Sequence, residues 1–180
     1  MPSNWINAQR LMPLSVWVGS PTSLNTAQSQ GSFAGGSSTI GASNVMLYPV
    51  AVTEPYRVRR LWWLNGTSVA GNVDVAIYDA SGVKLVSTGS TVQSGTSTIQ
   101  SVAVDYTLGI GSYWLGLATS STGTFQSFLT QANTIRQRDS FGIAQHFTVG
   151  SAIPLPTQLV FGSNLCYAFP YFGFSRLTSI

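Results

Sequence analysis

Between positions 73 and 78 the residues alternate, with Val73, Val75 and Ile77 set against Asp74, Ala76 and Tyr78. A period of two sends neighbouring side chains to opposite sides of an extended backbone, which marks a strand with one buried face. Turn residues bound the alternation. Asn65-Gly66 precedes it and Asp79-Ala80-Ser81-Gly82 follows it, supplying the positions that need positive φ. Further extended stretches follow over residues 83–88, 98–106 and 113–119, and another precedes over 56–64. No stretch of the chain carries a helical period. Strand signals every eight to twelve residues or so with Gly-rich turns predict an all-β chain, an antiparallel β-sandwich or jelly roll.

The predicted strands start at residues 45–52, where Pro49 implies an edge or a bulge. In 56–64 strict alternation puts Val58, Arg60, Trp62 and Leu64 on one face and Arg57, Arg59, Leu61 and Trp63 on the other. Each face then carries a tryptophan, so both faces need cover. Residues 73–79 and 83–88 form a hairpin. In 113–119, Gly116 admits the close approach of another side chain. Strands are also expected over 125–130 and 141–149, with an exposed loop over 131–140 between them. Pro154 and Pro156 break the next segment. The C-terminal run is strongly aromatic, with Tyr167, Phe169, Tyr171, Phe172 and Phe174. A single core strand uses alternate members of that set. The others predict a subunit interface.

Residues 1–44 read differently from 45–180. Trp5, Ile6, Leu11, Leu14, Val16 and Trp17 give an apolar opening broken by prolines, and 19–43 are Ser-, Thr-, Gln- and Gly-rich. This is expected to be an extended N-terminal arm, with Trp5 and Trp17 as anchors on a partner. The sandwich domain then occupies 45–180.

Charge is the compositional outlier. Only 7% of the 180 residues are charged, against about 25% in an average soluble domain. The polar surface is therefore mostly hydroxyl and amide, which repels neighbouring molecules weakly. The net charge is +3, and seven of the eight basic residues are arginines. They are few and scattered apart from Arg57, Arg59 and Arg60, which argues against nucleic-acid binding. Arg is also the cation favoured at protein interfaces. Cys166 is the only cysteine, so no disulfide can form within the chain. No basic start followed by an apolar run marks a leader, and no apolar run is long enough for a membrane helix. Folding in a reducing cytosol is expected.

The residues of catalysis are sparse. His146 and Cys166 have no partner at ligand spacing, so no metal or cofactor is expected. His146 reads as a strand residue and Cys166 as a buried, inert thiol. No nucleophile elbow, phosphate loop or dinucleotide fingerprint occurs. Glycoside hydrolysis requires two carboxylates, and Asp74 and Asp105 are the pair that strand pairing would bring face to face. Asp79 reads as a turn residue. The sequence predicts a protein that is not an enzyme.

Three runs together, Val58-Arg59-Arg60-Leu61-Trp62-Trp63, the Ile77-Tyr78-Asp79-Ala80-Ser81-Gly82 turn and Gly111-Ser112-Tyr113-Trp114-Leu115-Gly116-Leu117, resemble β-sandwich domains of tailed-bacteriophage virion proteins. In those domains an Ile-Tyr-Asp-x-x-Gly turn is followed by a Gly-x-Tyr-Trp-x-x-Leu strand. The resemblance covers roughly a third of the chain and rests on structural residues, so it carries over no site residue. It implies a capsid cement, or decoration, protein: a homotrimer on the outside of the head that bridges major capsid subunits. Trp5, Arg10, Trp17, Arg57, Arg59 and Trp63 are then expected at the capsid interface, and Tyr167, Phe169, Tyr171, Phe172 and Phe174 between subunits. The pattern also resembles some carbohydrate-binding sandwiches, which implies the alternative of a tail or fibre module recognising host-surface glycans.

Overall fold

Alternating apolar residues along many short strands leave one solution, two sheets laid face to face. A computed structural model of the chain describes residues 16–18, 35–42, 44–128, 145–148, 153–160 and 169–176. In chain order the strands are β1 (Val16–Val18), β2 (Gly35–Thr39), β3 (Asn44–Val52), β4 (Tyr56–Leu64), β5 (Asn72–Asp79), β6 (Lys84–Ser87) and β7 (Thr91–Val92). They continue with β8 (Ile99–Leu108), β9 (Gly111–Thr119), β10 (Thr124–Phe128), β11 (Gln145–Thr148), β12 (Phe169–Pro170) and β13 (Phe172–Ser175). No helix occurs among the described residues.

One sheet runs β1-β13-β4-β8 and the other β11-β3-β9-β5-β6, with β7 also paired to β5. A small third sheet runs β12-β10-β2. Every pairing is antiparallel except that of β1 with β13. The protein is thus an all-β antiparallel sandwich. Two pieces of the first 44 residues, β1 and β2, are hydrogen-bonded into sheets. The remainder of the expected arm, apart from residues 40–42 and 44, lies outside the described residues.

The core lies between the two large sheets. Val58, Leu61, Trp63, Phe172 and Phe174 of the first meet Met46, Tyr48, Val75, Ile77, Leu115 and Leu117 of the second. Tyr48 and Phe172 pack with ring centroids 4.9 Å apart. Apolar burial of this kind is worth roughly 25 cal/mol per Å², which makes this layer the main source of stability.

The faces of β4 differ from strict alternation. Val58 shares the core with Leu61 and Trp63, whereas Trp62 and Leu64 pack on the other side with Tyr171 and Ile99. The cause is a register slip. The two-residue step from Val58 to Arg60 faces the three-residue step from Tyr106 to Ala103 on β8. Arg59 and Arg60 therefore both point away from the core, and every later side chain changes phase. Both tryptophans are fully buried, so both faces of β4 are covered.

Pro49 lies on β3 beyond Leu47, where the β11 ladder ends, so the strand there has β9 as its one partner among the described residues. The edge expected of a strand proline is present. The hairpin of β5 and β6 closes over Asp79–Gly82 as expected, with Gly82 at φ 87°. At Gly116 a Cβ would stand 3.0 Å from Tyr78 Cε2 and 3.2 Å from Leu47 Cδ2, so the glycine makes room for both side chains. The loop expected over 131–140 lies outside the described residues.

Candidate functional site

The connections at the two ends of the sandwich differ in chemistry. At one end, where β4 stops and β5 begins, the connecting residues 65–71, 88–98 and 119–124 carry no charged side chain. Their exposed positions include Thr67, Ser68, Ser94, Thr96, Ser120 and Thr122. At the opposite end stand Glu54, Arg57, Arg59, Asp79, Asp105 and Arg176.

The uncharged end is built on a buried amide. Asn65, fully buried, accepts a hydrogen bond from Trp63 Nε1 at 2.9 Å and one from Gln93 Nε2 at 3.0 Å. Its own amide donates to the Ser94 carbonyl at 2.6 Å and to Gln100 Oε1 at 3.2 Å. Gln93 also donates to the Thr124 carbonyl at 2.9 Å and accepts from the Ala70 N–H at 3.1 Å. One asparagine and one glutamine thus tie three connections together, and the hydroxyls above them sit on a fixed frame.

The charged end is an arginine network. Arg57 grips Asp105 with two bonds, Nε at 2.9 Å and Nη2 at 2.8 Å, and Arg59 Nη1 reaches the same carboxylate at 3.2 Å. The bond from Arg57, then the two positive charges, hold the Asp105 carboxyl below the usual carboxylate range. Arg176 donates to Glu54 at 2.9 Å and lies 4.1 Å above the Tyr56 ring. Arg60 instead donates to Ser101 at 3.0 Å. These pairs are half exposed, so water screens them and they add little stability.

Several expected site residues move. Arg57 is exposed and Arg59 half-buried at the charged end. Trp63 is sealed in the core with its N–H on Asn65, so it offers no surface to a partner. Tyr171, Phe172 and Phe174 are likewise buried within the chain, and burial drives the Tyr171 hydroxyl up to about 12. Their cover comes from this chain, which leaves them little surface for a second subunit. Trp17 is placed on β1 opposite Gly173 and Phe169 on β12 opposite Phe128. Trp5, Arg10 and Tyr167 lie outside the described residues, as does Cys166. His146 sits on β11 as a strand residue, opposite Met46.

The expected facing of Asp74 and Asp105 does not occur. Asp74 is on β5, opposite Ala118 in the second sheet, while Asp105 is on β8 in the first. Asp74 is fully buried on the outer side of its sheet. It accepts from the Leu155 N–H at 2.9 Å and from Thr88 Oγ1 at 3.2 Å. Burial raises its pKa, against the pull of those bonds and of Lys84. Reading the sequence missed both Asn65 and Asp74 as organising residues. An acid in the middle of the run 73–78, with apolar residues on both sides of the strand, is the signal that points to Asp74.

Among the described residues no three of His, Cys, Asp and Glu gather closely enough to hold a metal ion. Searches of protein-family models, curated proteins and solved structures find no match to this chain.

Proposed function

We propose that the chain is a structural protein of a tailed-bacteriophage virion, a capsid cement protein that binds the outside of the head as an oligomer and bridges neighbouring major capsid subunits. The observation that carries this reading is the separation of charge. A chain with so few ions keeps its described exposed ones near one end of the sandwich and leaves a rim of hydroxyls on a rigid amide frame at the other. Neutral hydroxyls lose little on leaving water when a partner supplies hydrogen bonds in return, whereas stripping water from charges is costly. Such a rim suits a broad contact with a shell, and Arg57 and Arg59, held on Asp105, supply a second, polar contact. Repetition over a symmetric shell multiplies weak contacts into firm attachment. In this reading the segment with Trp5 and Arg10, ahead of β1, reaches across the shell, and copies meet around a local threefold axis.

The test is a protein census and density map of purified virions. Many copies on the outer face of the head are expected, and fewer when residues 1–15, ahead of β1, are deleted. Absence from particles overturns the proposal, and unchanged occupancy after the deletion removes the arm from it. Glycan-array binding by a monomer indifferent to heads would replace it with the tail or fibre module.

A further inference from the structure

Residues 153–160 form a strap across the outer side of the second sheet. Leu155 and Leu159 are buried there against Val45, Leu47, Ala76, Tyr78 and Ala118. The sheet holds the strap by its main chain. Asp74 Oδ2 takes the Leu155 N–H at 2.9 Å, and Lys84 Nζ donates to the Leu155 carbonyl at 2.7 Å. Tyr78 donates its hydroxyl to the Pro156 carbonyl at 3.1 Å. The Lys84 N–H donates to Thr157, and the Leu159 N–H to Gly82, both at 2.9 Å. Val83 and Gln158 face each other across a short antiparallel bridge.

This is the way a groove holds an extended peptide: main-chain bonds give adhesion, and two apolar plugs give selectivity. We propose that this side of the sheet is a peptide-binding groove for an extended, proline-bracketed segment, filled here by the chain's own residues 153–160, and that it also accepts that segment from a second copy. Three observations support the exchange. Leu155 and Leu159 cover the apolar side chains of Val45, Leu47, Ala76, Tyr78 and Ala118, so the groove is costly to leave empty, and Asp74 offers a carboxylate to a main-chain amide of the occupant. The occupant is recognised through main-chain groups and two leucines, all of which a second copy presents identically. Two exposed apolar side chains, Val83 and Val160, flank the seam at 42% and 81% exposure, where a neighbouring copy would cover them. The exchange is independent of any place in a virion.

Full-length chains with Cys166→Ser test it. Chains carrying Val83→Cys are mixed with chains carrying Gln158→Cys at high concentration, then oxidised and weighed. Both positions are exposed, so folding is preserved. A strap seated in the neighbouring copy yields disulfide-linked pairs of unlike chains, several-fold above the pairs formed by either chain alone. An excess of synthetic peptide 153–160 suppresses them, and so does Asp74→Ala in the Val83→Cys chain. Unlike pairs no more abundant than like pairs overturn the proposal, as does a yield indifferent to both peptide and Asp74.

Discussion

Asn65 shows how much a single polar side chain can organise. Its amide answers Trp63 from the core and, through Gln93 and Ser94, the connection over 88–98. Asn65→Ala leaves the buried Trp63 N–H without an acceptor, so a loss of about 2–3 kcal/mol is expected in urea unfolding. A double-mutant cycle with Trp63→Phe should return coupling of ~1 kcal/mol or more, and additive losses would separate the two residues. The carboxylates titrate in opposite senses. Asp105 and Asp79 have folded pKa values below the ordinary range, held there by Arg57 and by the Ser81 hydroxyl respectively. Their stabilisation is present above the unfolded value of about 3.9 and is lost as pH falls through the folded values. Asp74 is raised by burial, so its contribution is full below the unfolded value and is lost as pH climbs through the folded one. Relative to the native chain, Asp105→Asn should therefore lose its disadvantage on acidification. Asp74→Asn should gain ground as the pH rises above about 4. Unfolding midpoints below about pH 4 decide the first and those above it the second, and profiles parallel to the native chain's would refute the assignments. The Asp79 turn was readable because its spacing to Gly82 is local. Asn65 and Asp74 were not, since their partners lie far along the chain.

At the level of elements, period and turn chemistry located the described strands from β3 onward except β7, but neither β1 nor β2, which fell in the segment read as an arm. The phase of β4 escaped because a register slip depends on the partner strand. Nothing in Tyr56–Leu64 alone records that β8 spends one more residue over the same stretch. The slip makes a sharp prediction. An alanine inserted between Arg59 and Arg60 equalises the two strands and leaves Leu61 and Trp63 facing the core, so the chain should still unfold cooperatively. The same insertion between Trp62 and Trp63 turns Trp63 outward and should abolish cooperative unfolding. Near-ultraviolet circular dichroism with thermal melts distinguishes the two. The aromatic C-terminus illustrates the complementary difficulty. Tyr171, Phe172 and Phe174 are all buried, because Phe172 and Phe174 alternate into the core while Tyr171 packs on the outer side of the first sheet with Trp62. Two-sided cover of that kind depends on what lies beyond the sheet, and a strand's own sequence does not record it.

For the molecule as a whole, scarcity of charge was plain from composition, whereas its gathering at one end needed the topology. With a net charge of +3 at pH 7, copies repel weakly. Raising the pH toward the isoelectric point of about 9.3 should remove that repulsion and steepen association, visible as rising light scattering. Flat scattering over that interval would show that contact between copies is set by other forces. Pro49 acquires a wider meaning in this setting. Past the end of the β11 ladder it puts a residue with no amide hydrogen on the margin of the second sheet. A foreign strand cannot zip onto that margin without a gap, so molecules crowded side by side are steered away from growing into a fibre.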